Sequence, residues 1–182
     1  MIHQIGRKLR QQIHYFSVEL CHGMGAVASR FVEEAVFGIS ASGSVRLTQI
    51  GRALEENIAL HATHKRLSRN LADESLEDKL GSNVLKLGSK HIHENTLLIV
   101  DPSDIQKKYA KKMQYLAEVR DGSEDTIGKG YWLCEVVGCE VGSNQITPLA
   151  QKLWPQEAPD FKSENDQILS LVKRVRQGTG GR

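Results

Sequence analysis

A chain of 182 residues that is 40% hydrophobic and 25% charged has room for one ordinary domain, or for a small domain and part of a second. That balance excludes a disordered or fibrous protein. The net charge is +2, but up to Leu71 nine Lys or Arg stand against five Glu, so the front of the chain is basic and the rest slightly acidic. A basic front half suits nucleic acid or another anionic partner, because neutralising phosphates releases counterions; a solvated surface is the plainer alternative. Cys21, Cys134 and Cys139 have no metal-ligand spacing and are expected to be thiols in a reducing compartment. No apolar run reaches the roughly 18 residues of a membrane span. The basic opening segment is not followed by a signal-like apolar core, so a cytoplasmic protein with no membrane partner is expected.

Residues 1–39 predict helix. Ile2, Ile5, Leu9, Ile13, Phe16 and Leu20 recur at three- and four-residue steps and share one face. Gly23 and Gly25 interrupt the pattern, and a second helix through Val27, Phe31, Val32, Ala35 and Val36 is expected to end near Gly38. A small polar linker, Ser40 to Ser44, leads to two helices at about 47–55 and 58–72. Residues 73–94 are polar and glycine-punctuated, a connector with a short helix around Leu76 to Leu80. Thr96 to Val100 is a continuous apolar run, expected to form a strand buried on both faces and stopped by Asp101-Pro102. Tyr131 to Val137, closed by Gly138, and Ile146 to Leu153, with Pro148 inside it, are the next strands. Ser163 is placed to cap a last helix, with Asp166 three residues on, an apolar stripe through Ile168, Leu171 and Val175, and Gly178 as its stop. The expected class is α+β: a helical domain over 1–72, a connector over 73–94 and an α/β domain over 95–182. A helix after antiparallel strands ordinarily crosses back to deliver a parallel strand, so the α/β domain is expected to be incomplete.

Three groups of residues have chemical potential. The 47–72 segment has a helix-turn-helix pattern. Leu60, His64, Leu67 and Leu71 share one face of its second helix; Lys65, Arg66 and Arg69 lie opposite, with His61 at the edge. An apolar side docks such a helix on its scaffold while the cationic side meets phosphates and base edges. An ordinary bundle helix with a solvated basic face has the same pattern. Asp101 ends the apolar run, where two-metal nucleases and polynucleotide transferases hold divalent cations; a turn residue ahead of Pro102 is the alternative. Lys107, Lys108, Lys111 and Lys112 follow it, and either steer a DNA backbone or form a solvated lysine surface.

The stretch Thr96-Leu97-Leu98-Ile99-Val100-Asp101-Pro102-Ser103-Asp104-Ile105 resembles the first strand of bacterial insertion-sequence DDE transposases, cut-and-paste enzymes with a ribonuclease-H-like core. In that family an Asp followed by small hydroxyl or Pro residues begins the DDE triad. Lys107 to Met113, Val119 to Ser123, Gly128 to Leu133, Ile146 to Leu149, Leu153-Trp154 and the helix after Ser163 continue the resemblance, which covers about residues 45–182. It implies an N-terminal helical DNA-binding domain followed by a partial ribonuclease-H-like domain. It further implies Asp101 as first catalytic carboxylate and metal ligand, with Mg²⁺ as cofactor. His61, Lys65, Arg66, Arg69, Lys111 and Lys112 become the expected contacts to double-stranded DNA at transposon terminal repeats. The implied activity is metal-dependent DNA cleavage followed by strand transfer, by a homodimer on paired ends, in the bacterial cytoplasm at the nucleoid. The second Asp and the Glu of the triad have no counterpart in the sequence, nor has the Tyr, Arg, Glu and Lys helix signature. The chain alone is therefore expected to be inactive, a truncated transposase or a non-catalytic DNA-binding repressor of transposition.

Overall fold

The computed structural model describes residues 2–110, 112–122 and 125–181. The class is α+β, with six helices and a four-stranded antiparallel sheet among the described residues. The chain divides into two compact units, Met1–Asn83 and Val84–Arg182. No helix among the described residues is long and apolar enough to cross a membrane.

The first unit holds α1 (Ile2–Leu20), α2 (Ala26–Ser42), α3 (Leu47–Ala53), α4 (Leu60–Leu71) and the start of α5 (Ser75–Ser89). α1 buries Ser17 and Leu20, with Cys21 just beyond it, whereas Leu9 and Phe16 remain half exposed, so only part of the expected apolar face is used. The side chains of Ile2 and Ile5 lie outside those described. α2 does not end at Gly38. It continues to Ser42 and closes at Gly43, whose left-handed φ of 62° lets its N–H reach the Ile39 carbonyl. Gly38 serves packing instead, since a Cβ there would lie 2.5 Å from Ile50 Cγ2. α3 and α4 fall where the sequence places them, with Ile50 and Leu67 buried on them and Phe31 and Val32 buried on α2. The expected connector is largely one helix: α5 runs 15 residues, and Asn83 on it donates to the Leu20 and His22 carbonyls at 2.8 and 3.0 Å.

The second unit is built on the long β3 (Thr126–Glu140), to which β1 (Thr96–Gln106), β2 (Ala117–Asp121) and β4 (Ile146–Trp154) all pair antiparallel. β1 and β4 share the same β3 partners, such as Trp132; a strand has two edges, so they flank β3 on opposite sides. The core lies on one face of the sheet, where Cys134, Val136, Leu149 and Trp154 meet Leu171 and Val175 of α6 (Glu164–Gly178). Ser163 caps α6 as expected, its hydroxyl accepting from Asp166 N–H at 3.1 Å.

Three expectations change here. Gly138 does not close β3 but lies within it, and a Cβ there would meet Ile92 Cδ1 at 2.5 Å. Pro148 is absorbed by a bulge: Val136 faces Ala150 and Val137 faces Pro148, so the intervening Leu149 has no counterpart on β3 and turns into the core, 0% exposed. Most consequential, the strand of Thr96 to Val100 is neither doubly buried nor stopped at Asp101. It runs on to Gln106 through Pro102, and Leu97, Leu98, Ile99 and Val100 are all exposed. The reason is position. Among the described residues β1 pairs with β3 alone, so it is an edge strand, where a proline without an N–H is tolerated.

Candidate nucleic-acid interface and acidic site

α3 and α4 pack closely because Gly51 has no side chain; a Cβ there would meet Leu60 Cδ1 at 3.1 Å and Thr63 Cγ2 at 3.3 Å. The buried side of α4 is Thr63 and Leu67, with Leu60 and His64 half-buried, while Leu71 is exposed. His61, Lys65 and Arg69, spaced by four, form one exposed stripe. α4 begins at Ala59 with no side-chain cap, and the Ala62 N–H turns back to the Ala59 carbonyl at 2.8 Å.

Arg66 is not on that stripe. Its guanidinium turns to α2, donating through Nη1 to Glu34 Oε2 and through Nη2 to Glu56 Oε2, the latter at 2.7 Å. Glu34 also accepts from Arg30 Nε at 2.7 Å, and Glu56 from Thr63 Oγ1 at 2.7 Å and Arg30 Nη2 at 3.3 Å. The network ties α2, the α3–α4 turn and α4 together. The Thr63 hydroxyl, then Arg66 and Arg30, hold the Glu56 carboxyl below its usual range despite burial. Burial works against the charge on Arg66, yet the Glu34 and Glu56 carboxylates outweigh it and raise the guanidinium further. Sequence periodicity places Arg66 beside Lys65 on the basic face, but carries no sign that two carboxylates from distant positions converge on it.

Asp101 sits in the middle of β1 and is exposed. Directly across the β1–β3 ladder is Glu135, which alternates with the buried Cys134 and Val136, so both carboxylates are on the sheet face away from the core. Like charges in that relation repel. Burial, then the charges of Asp101, Glu135 and Glu164, push the Cys134 thiol up; burial raises Cys21 as well. Burial and the raised pKa disfavour the nucleophilic thiolate form of both. The pairing of Glu135 with Asp101 depends on the register of two strands 34 positions apart and is invisible in the sequence. Among the described residues no three His, Cys, Asp or Glu are grouped to hold a metal ion, and two carboxylates fall short of the three that a two-cation site of the expected kind needs. Lys112 is exposed beyond β1; Lys111 lies outside the described residues. No protein-family model and no curated protein matches this chain.

Proposed function

We propose that the chain is the DNA-binding portion of a DDE-type transposase, with the Met1–Asn83 unit on transposon-end DNA and the Val84–Arg182 unit derived from a ribonuclease-H-like domain. The observation that carries this reading is the exposed stripe of His61, Lys65 and Arg69 on α4, held against α2 and the α3–α4 turn by a network that leaves those three side chains facing outward. A helix docked on two others, with cations along its free side, has the shape and charge to enter a major groove. Antiparallel pairing of β1, β3 and β4, followed by a helix on one face, agrees with the start of the resembled domain, as does a carboxylate on β1. Mg²⁺ would be held at Asp101 in the complete enzyme. With Glu135 as its one carboxylate neighbour across the ladder, no cleavage step is assigned to this chain's residues. Occupying transposon ends without cutting them, and so repressing transposition by competition, is the second reading, and the two-carboxylate site favours it for the chain acting alone.

The test is binding to duplex DNA carrying the flanking terminal repeats, beside a scrambled duplex, across a salt series. End-selective binding is expected. A Lys65→Ala, Arg69→Ala double variant is expected to flatten the slope of log K against log salt by about 1.8, at about 0.9 per lost phosphate contact. Equal, weak binding to both duplexes by the unaltered chain refutes the reading.

A further inference from the structure

The loop after β1 displays an aromatic ring among lysines. Lys107 N–H donates to the Lys129 carbonyl at 2.7 Å, and Ala110 N–H donates to the Lys107 carbonyl at 3.0 Å. Lys107–Ala110 therefore closes as a tight turn with Lys108 and Tyr109 at its two corners. Further along, the buried Tyr131 donates its hydroxyl to the Gln114 carbonyl at 2.7 Å. Lys107 and Gln114 are thus each fastened to β3. Tyr109 is 95% exposed; Lys108 and Lys112 are exposed within three residues of it in sequence, and the exposed Lys129, whose carbonyl accepts from Lys107, lies across the β2–β3 ladder from Glu118. A tyrosine that packs on nothing contributes nothing to this unit's core, and its ring is a flat face open to another flat ring. Cations spaced within a few residues of a single stacking platform match a strand of nucleotides, in which bases and phosphates alternate.

We propose that this loop contacts an unpaired nucleotide in DNA, its base stacked on Tyr109 and the neighbouring phosphates near Lys112 and Lys129. This rests on the DNA-binding reading above and adds to it a preference for single-stranded or opened DNA, which a helix entering a major groove does not supply. Met113 and Tyr115, 46% and 45% exposed, would suit a lipid surface better than Tyr109 does, so an anionic membrane is the competing occupant in the test.

The experiment titrates the full chain into a short single-stranded oligodeoxynucleotide carrying 2-aminopurine, whose fluorescence is quenched on stacking. Quenching is expected. Tyr109→Ala should lose it and weaken binding roughly tenfold, within the range of one base–aromatic stack, whereas Tyr109→Phe should retain both. Lys112→Ala with Lys129→Ala should flatten the salt slope by about 1.4, at about 0.7 per phosphate of a single strand, and keep the quenching at saturation. Lys65→Ala with Arg69→Ala should weaken duplex-end binding and flatten its salt slope but leave this titration unchanged, so failure of the α4 reading and failure of this proposal are seen separately. Equal affinity and quenching for Tyr109→Ala and the unaltered chain overturns the proposal. So does binding to phosphatidylserine vesicles, lost in Tyr109→Ala, with no quenching of the oligonucleotide.

Discussion

Replacing Arg66 with methionine separates a residue that holds the helical unit together from one that touches DNA. Methionine keeps much of the length and apolar stem but removes one of the two arginines that Glu34 and Glu56 share, leaving Arg30. Removing one partner of a buried ion pair costs about 3–5 kcal/mol. Here the Arg66, Glu34 and Glu56 side chains keep 26%, 14% and 22% exposure, and Arg30 still bonds both carboxylates. Water and Arg30 recover part of the loss, so about 2–3 kcal/mol is expected. Urea unfolding distinguishes the units, because both tryptophans, Trp132 and Trp154, lie in Val84–Arg182. Far-ultraviolet circular dichroism should reveal helix loss at lower urea, while the tryptophan transition stays in place. Adding Glu34→Gln and Glu56→Gln to Arg66→Met should restore most of the lost stability, since no charge is then stranded. In the same variants the salt slope of duplex binding should be unchanged. A stability change under about 0.5 kcal/mol, together with a slope lower by about 0.9, would mean that Arg66 contacts phosphate and that the network is a weak surface arrangement.

Other consequences follow from the same contacts. Glu56 has its folded-state carboxyl held below the ordinary range, first by Thr63 and then by Arg66. Its contribution is therefore complete above the ordinary Glu value of about 4.3 and is lost as pH falls through the lower folded value; thermal melts from pH 7 to pH 3 should show that loss, and Glu56→Gln should reduce it. Gly130→Ala should cost about 1–3 kcal/mol by calorimetry, because its Cβ would lie 2.2 Å from the Ile105 carbonyl oxygen, a backbone atom of the paired strand. Glu135→Lys should stabilise the sheet unit by a few tenths to about 1 kcal/mol in tryptophan-detected urea melts, turning a repulsive cross-strand pair with Asp101 into an attractive one.

The helical unit is legible in the sequence where local periodicity decides and not where tertiary contacts do. α3 and α4 are short amphipathic segments bounded by polar turns, so their limits follow from the pattern itself. Gly38 has two meanings in a sequence, a helix stop or a close approach, and only Ile50 lying against it selects the second. Arg66 illustrates the same limit for charge. A helical wheel orders side chains around one axis, and a guanidinium about 100° from the Lys65 stripe goes to solvent or to a carboxylate according to what α2 presents there. In the 73–94 segment Gly81 and Gly88 look like breaks in the sequence. Gly88 is buried instead, with Leu149 Cδ2 2.9 Å from where its Cβ would be, so tertiary contact outweighs its low helix propensity.

β1 is the strongest case of an apolar run whose surroundings the sequence does not contain. Five consecutive apolar or β-branched residues suit a strand between two neighbours, and they suit equally an edge with its outer side bare. Pro102 was the available discriminator. A proline two positions after the run is a poor fit to a central strand but no obstacle at an edge, so Pro102 marks the strand's position in the sheet rather than its end. The same shift changes the meaning of Asp101. At a strand terminus it would be one carboxylate in a turn, whereas in mid-strand it acquires Glu135 as a fixed neighbour and a place on the exposed sheet face. Any cation or phosphate that reached this pair would approach from that face, away from Leu171 and Val175, because α6 already covers the other.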